Sequence, residues 1–166
     1  MIKKVISGGQ TGADIGALFA AHKTPGVKTG GWAPKGFRTE DGLLPTLGTK
    51  YKLKETKFSK YPLRTKLNVQ QSDGTLWIGN TDSPGAKLTL GLCDETEYDR
   101  PVKRIRYTGG RYRSTRNLIP ALVRWVERHN IKVLNVAGNR ESTNPGITMF
   151  TEAIIWGLLR ELSDQK

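Results

Sequence analysis

Five stretches of the chain bring glycine, hydroxyl and charged residues together at spacings suited to holding an anionic ligand. The first is Ser7-Gly8-Gly9-Gln10-Thr11-Gly12-Ala13-Asp14, directly after the apolar pair Val5-Ile6. Glycines in such a turn let backbone N–H groups approach an anion, and a helix opening there aims its positive end at the same point. Thr11 adds a hydroxyl donor, and Gln10 suits a ligand's amide or ring edge. Asp14, in the first helical turn, either caps backbone N–H groups or binds a ribose hydroxyl. The spacing is neither G-x-G-x-x-G nor a Walker A loop, so a plain tight turn with Asp14 as a stabilising charge also fits it.

The second stretch, Gly30-Gly31-Trp32-Ala33-Pro34-Lys35-Gly36, offers Trp32 to stack a flat ring and Lys35 to hold a phosphate. A buried Trp anchoring a long loop is the structural alternative. Glu40 and Asp41 follow as the candidate catalytic carboxylates, or as turn formers before Gly42. In the third, Arg64 and Asn68 are four apart and share a face if the segment is helical. Such a pair could clamp a phosphate and read a hydroxyl, or form a solvated helix face. The fourth, Thr81 to Thr89, follows an apolar run and opens a helix, which makes Gly85, Lys87 and Thr89 a second candidate anion cradle. The fifth, Asn135 to Ser142, places Gly138 and Arg140 after another strand, with Arg140 able to close over an anion.

The elements that must position these residues alternate along the chain. Lys3–Ser7 reads as a strand, and Gly12–His22 as a helix with small residues on one face. Gly30–Tyr61 is rich in Gly, Pro and charge and reads as a long loop with short extended pieces. Pro62–Gln71 is a short helix, Thr75–Ile78 a buried strand, Pro84–Cys93 a helix and Val102–Tyr107 a strand. Arg116–His129 is an amphipathic helix, Lys132–Val136 a strand and Gly146–Leu162 a final amphipathic helix. This order predicts an α/β fold, a Rossmann-like three-layer sandwich with a mostly parallel sheet and helices on both faces. In such a sheet the loops leaving the strand C-termini line one crevice, so the first, fourth and fifth stretches should meet.

The chain has 166 residues, which fits one domain over 1–166 with a core needing no disulfide or structural metal. Cys93 is its one cysteine, which suits a reducing cytoplasm. No signal peptide, membrane span or metal-ligand spacing is read, and His22 and His129 fall on helices. The net charge is +12 and the pI about 10.0, which attracts phosphorylated ligands or nucleic acid. Arg100 to Arg116 concentrates that charge, with Tyr107 and Tyr112 interleaved and Gly109-Gly110 breaking the run. It reads as a basic flap over a phosphorylated ligand, as a nucleic-acid surface, or as an edge strand whose charges block pairing.

Taken in order, Val5 to Asp14, Gly30 to Gly36, Glu40-Asp41-Gly42, Arg64-Thr65 with Asn68-Val69, Ser72 to Leu76, Leu134 to Gly138, Arg140-Glu141-Ser142 and Pro145-Gly146-Ile147 resemble the "putative molybdenum carrier" family over nearly the whole chain. The resemblance implies a Rossmann-like superfamily that includes the lonely-guy phosphoribohydrolases and DNA-processing protein A, and often homo-oligomers. It implies a nucleotide or molybdopterin-type ligand. Trp125, Trp156 and the apolar face of Gly146–Leu162 are the candidate oligomer interface, or intrachain core. The chain departs from the family at Ile15, where Arg is usual, and at Ala33, where Cys is frequent. It also lacks the Glu that lonely-guy enzymes carry after their Pro-Gly-Gly loop; Lys87, Leu88 and Thr89 stand there, with no carboxylate before Asp94.

The expected function is therefore to bind a phosphorylated nucleotide-derived small ligand, as carrier, sensor or sequestering protein, without catalysis. One alternative is a hydrolase of N-glycosidic or phosphate bonds using Glu40 or Asp41. Another is a single-stranded nucleic-acid-binding module.

Overall fold

The computed structural model describes residues 1–94, 100–109 and 115–164, except the Arg116 side chain. Val5 and Ile6 form the buried part of β1 (Lys4–Ile6), and the glycine turn leads into α1 (Ala13–Lys23). β2 (Lys28–Gly30) follows at the sheet edge. The long loop is more structured than its composition suggests. It holds β3 (Trp32–Ala33), β4 (Arg38–Thr39), β5 (Gly42–Leu43), α2 (Thr46–Thr49) and β6 (Lys54–Glu55). β3 pairs with β6 in parallel, and β4 with β5 as a hairpin. Leu47, Tyr51 and Leu53 pack with Leu18 and Ala33 in a satellite core beneath this excursion. Those contacts join residues distant in sequence, so local periodicity does not show them.

Beyond it lie α3 (Tyr61–Gln70), β7 (Gly74–Ile78), α4 (Pro84–Asp94), β8 (Val102–Ile105), α5 (Ile119–Arg128), β9 (Val133–Gly138) and α6 (Ile147–Asp164). The main sheet runs β2-β1-β9-β7-β8, and every neighbouring pair is parallel. Right-handed crossovers decide which face each helix takes. The steps β1 to β2 and β8 to β9 move one way across the sheet and put α1 and α5 on one face. The steps β2 to β7 and β7 to β8 move the other way and put α3 and α4 on the opposite face. The packing agrees, since α1 and α5 both contact α6 while α3 contacts α4.

Strand alternation divides the side chains between these layers. Val5, Leu76, Ile78, Leu134 and Val136 enter the main core with α1, α5 and α6. Trp77 and Ala137 point to the other face, against Ala86 and Leu90 of α4. Helices α1 and α6 approach closely because Gly16 has no side chain: a Cβ there would overlap the Thr148 carbonyl. The Rossmann-like α/β expectation holds. β2 escapes prediction because Lys28-Thr29-Gly30 has no apolar residue to mark it. Of the two candidate interface tryptophans, Trp125 packs against the main core, whereas Trp156 is 49% exposed with Arg160 over its ring. Within the basic segment Val102–Ile105 forms the charged edge strand β8, with Arg104 exposed on it and Arg106 exposed just beyond it. Arg111, Tyr112 and Arg113 lie outside the described residues.

Candidate functional site

The chain leaves β7 toward α4 on one face and leaves β9 toward α6 on the other. Where these exits diverge, beyond the strand C-termini, lies a cleft of about 460 Å³, a volume typical of small-molecule sites. Its floor is Trp77, Asn135 and Ala137, which alternate to this face while Leu134 and Val136 enter the core. Asn135 donates from Nδ2 to Thr75 Oγ1 at 3.1 Å. Tyr61, Arg64 and Asn68 of α3 form one wall, and Ser83, Gly85, Leu88 and Thr89 at the start of α4 another. Gln10, Asp14, Gly138, Asn139 and Arg140 close the remaining side. The first, third, fourth and fifth stretches therefore meet here.

The glycine loop does not present an open set of amides. Gly9 N–H donates to Ser7 Oγ at 3.2 Å, Gln10 N–H to Asp14 Oδ2 at 3.3 Å and Thr11 N–H to Gln10 Oε1 at 3.0 Å. Ala13 N–H donates to the Asn139 carbonyl at 3.1 Å. Gly12 permits that last contact. Its φ is +83°, and a Cβ would overlap the Asn139 carbonyl. The Asp14 carboxylate thus occupies the inner side of the turn, where the sequence suggests a ligand's anion. Arg64 Nη1 pairs with Asp14 Oδ2 at 2.9 Å, both side chains largely buried. The guanidinium lies directly over Gly8, in the space a Cβ would fill. Burial pushes the Asp14 carboxyl above its usual pKa range, even against the opposing pull of Arg64 and the loop amides.

Glu40 ties the first stretch to the fifth. It accepts from the Thr11 hydroxyl, from Ser142 Oγ at 2.6 Å and from Ser142 N–H at 3.3 Å, with Arg140 Nη1 at 3.9 Å. Burial raises its pKa, but the hydrogen bonds from Ser142 and Thr11 and the Arg140 charge outweigh it, leaving Glu40 below the usual carboxylate range. Its own N–H donates to Gln10 Oε1 at 2.9 Å. Glu141 serves the next element: it accepts from Thr148 N–H at 2.9 Å and Thr148 Oγ1 at 2.7 Å, capping the first turn of α6. Asp41 sits exposed at the β4–β5 turn, beside a separate hollow of about 320 Å³ rather than in the main cleft.

The cations of the cleft gather on one ring. Arg64 and Arg140 carry their guanidinium carbons 5.7 and 5.1 Å from the Tyr61 ring centre, and Gln10 Nε2 donates to the Tyr61 hydroxyl at 3.3 Å. Sequence reasoning did not single out Tyr61 or Trp77, and it placed Ser83 and Asn135 inside the fourth and fifth stretches without a role of their own. The available signals were position alone: Tyr61 opens α3 just before Pro62, and Ser83 precedes Pro84 at the start of α4, where it accepts from Ala86 N–H at 3.2 Å. Asn68 lines the cleft but spends its amide on Trp32, accepting from its N–H at 2.8 Å and donating to its carbonyl at 3.0 Å. Thr89 returns its hydroxyl to the Gly85 carbonyl at 2.8 Å. Trp32, Lys35 and Lys87 are not in the cleft wall. Lys87 projects to solvent, and Trp32 and Lys35 lie on the β3–β6 ribbon side of α3.

Comparison with known proteins gives two findings. A profile of the circularly permutated YpsA SLOG family matches residues 5–159. Among solved structures, the chain is similar to a "putative molybdenum carrier protein" from Syntrophus aciditrophicus SB, at 38% sequence identity over 95% of each chain, with a TM-score of 0.82. No curated protein matches.

Proposed function

We propose that this chain, which belongs to the circularly permutated YpsA SLOG family, holds a phosphorylated nucleotide-derived small molecule in the main cleft. In this reading it acts as a carrier, sensor or sequestering protein and does not transform what it holds. One observation carries the proposal. The cleft combines the Arg140 guanidinium and the start of α4 with apolar lining from Leu88, Trp77 and Ala137, while both neighbouring carboxylates, Asp14 and Glu40, are engaged by the protein itself.

The parts divide as a ligand with a flat ring and one phosphate would require. The phosphate faces Arg140 and the Ser83–Gly85 turn, where the helix dipole favours an anion. The ring lies against Leu88, over a floor that the buried Trp77 supports. Both arginines already have acidic partners, Asp14 at 2.9 Å and Glu40 at 3.9 Å, so the cleft suits one phosphate better than a chain of them. The Syntrophus relative's name points to molybdenum. Among the described residues no three His, Cys, Asp or Glu side chains cluster as a direct metal site. The donors fit a molybdopterin-type ligand instead, held by its phosphate and its flat pterin.

Hydrolysis would need a free base beside the ligand. Glu40 accepts hydrogen bonds from two other residues, and Asp41 stands outside the cleft. The test is calorimetry and native mass spectrometry with nucleoside monophosphates, cyclic nucleotides, ADP-ribose and molybdopterin precursors, with chromatography to follow turnover. Binding without turnover, weakened at least about tenfold by Arg140→Ala, is the expected result. Turnover that disappears in Glu40→Gln overturns the non-catalytic reading.

A further inference from the structure

The second glycine stretch lies outside the cleft, and its neighbours carry a different pattern of charge. Strand pairing fastens positions 54–58 alongside 31–35: Lys54 N–H donates to the Gly31 carbonyl at 2.8 Å, Thr56 N–H to Ala33 at 2.9 Å and Lys35 N–H to Phe58 at 3.0 Å. Two segments distant in sequence thereby become one ridge, which runs into Lys60 at the start of α3. Between positions 50 and 66 the only acid is Glu55, against six lysines and one arginine. Glu55 is itself occupied, accepting from Gly36 N–H at 2.6 Å. Among the described residues no carboxylate pairs with Lys35, Lys54, Lys57 or Lys60.

Aromatic faces lie among these cations. Phe58 is 62% exposed between Lys57 and Lys60, a large apolar side chain left in water. Trp32 is partly exposed, with Lys54 Nζ 5.6 Å from its ring centre and its indole N–H donated to Gln71 at 2.9 Å. Cations spaced between exposed ring faces match a strand of alternating phosphates and bases. A duplex hides its base faces and leaves Phe58 unexplained. A bilayer would need only the outward cations and Phe58, whereas Trp32 adds a second, partly exposed ring set back on the ribbon with its indole N–H held by Gln71.

We propose that the ridge of Trp32, Lys35, Lys54, Lys57, Phe58 and Lys60 binds single-stranded nucleic acid, with bases stacked on Phe58 and phosphates on the lysines. None of these six residues lines the cleft, although Lys60 adjoins Tyr61 of its wall, and the proposal stands or falls independently of the small-ligand reading.

Fluorescence anisotropy of the full chain with labelled oligothymidylate and oligouridylate of increasing length tests it. Affinity should rise with length up to the span of the ridge. Log affinity should fall with log salt by about 0.7 per phosphate neutralised. The pair Lys57→Glu and Lys60→Glu should weaken binding at least about tenfold and flatten that slope. Phe58→Ala should weaken binding at least about fivefold with the slope unchanged, and Phe58→Trp should restore it. Thermal melts of each variant establish folding, and binding of nucleoside monophosphate establishes the state of the cleft. Loss of oligonucleotide with mononucleotide retained supports the ridge alone. Equal affinity for duplex and single strand, indifference to Phe58→Ala, or binding only to phosphatidylserine vesicles would each overturn it.

Discussion

The cleft and the ridge both carry cations, but they handle charge in opposite ways. In the cleft each guanidinium has an acid beside it, Arg64 with Asp14 and Arg140 with Glu40. On the ridge Lys35, Lys54, Lys57 and Lys60 have no carboxylate partner among the described residues. Paired, partly desolvated cations hold a geometry and recognise a defined small anion. Unpaired, hydrated cations attract extended anions with little regard for sequence. The net charge of +12 therefore says less about the cleft than about the surface around it.

The sharpest way to break this contrast is to remove one half of the buried pair. Arg64→Met leaves the Asp14 carboxylate buried without its counter-charge and removes the side chain lying over Gly8. Breaking a buried pair from one side costs about 3–5 kcal/mol, so this variant should show the largest loss in urea midpoint of any change considered. Adding Asp14→Asn should recover part of the loss, because the uncompensated charge is gone while an amide can still accept from Gln10 N–H. If Arg64→Met melted with the wild type, Asp14 would not depend on Arg64, and the division between the two regions would fail.

Glu40 gives a smaller and pH-dependent effect. Its folded pKa is depressed, so it stabilises the fold fully above its unfolded pKa, and that contribution is lost as pH falls through the folded value. Glu141, also depressed, adds to this acid sensitivity. Asp14 is raised, so it favours the protonated form and works in the opposite direction over the acid range. Glu40→Gln should cost about 1 kcal/mol near neutrality, and the gap from wild type should close as the buffer is taken below the carboxylate range. Urea titrations of both proteins down a pH series measure that closure. A gap constant with pH would mean the Glu40 charge is irrelevant to joining the first and fifth loops.

The two regions were also unequally legible in the sequence. The cleft follows from local pattern plus a topological rule: β1, β7, α4, β9 and α6 are readable from periodicity, and loops leaving parallel strands converge. What escaped there was non-local. Arg64 reaches Asp14 across fifty positions, and Asn68 is spent on a Trp32 peptide that only the ribbon brings near. Tyr61 joins Arg64 to Arg140 through a ring whose role depends on where α3 begins. The ridge was hidden more deeply. Trp32 and Lys35 suggested a ring and phosphate site, but their surroundings depend on the β3–β6 pairing, two residues per strand, too short to leave a periodic signal.

The weakest expected effect is as informative as the strongest. Lys57 and Lys60 are exposed, make no ion pair among the described residues, and bury nothing whose loss would open a cavity. Substituting both by Ala should shift Tm by less than about 2 °C, since Lys60, although the N-cap residue of α3, makes no side-chain cap hydrogen bond, and exposed substitutions that break no cap or buried pair are close to neutral. Affinity for a nucleoside monophosphate should stay within about twofold, because both lysines are exposed and neither lines the cleft, so their charges act on it only through water. Differential scanning fluorimetry and calorimetry on one preparation read both quantities. A shift of several degrees would make these lysines part of the fold's own support. A large fall in mononucleotide affinity would mean the ridge field reaches into the cleft, merging two regions that the pairing of their charges separates.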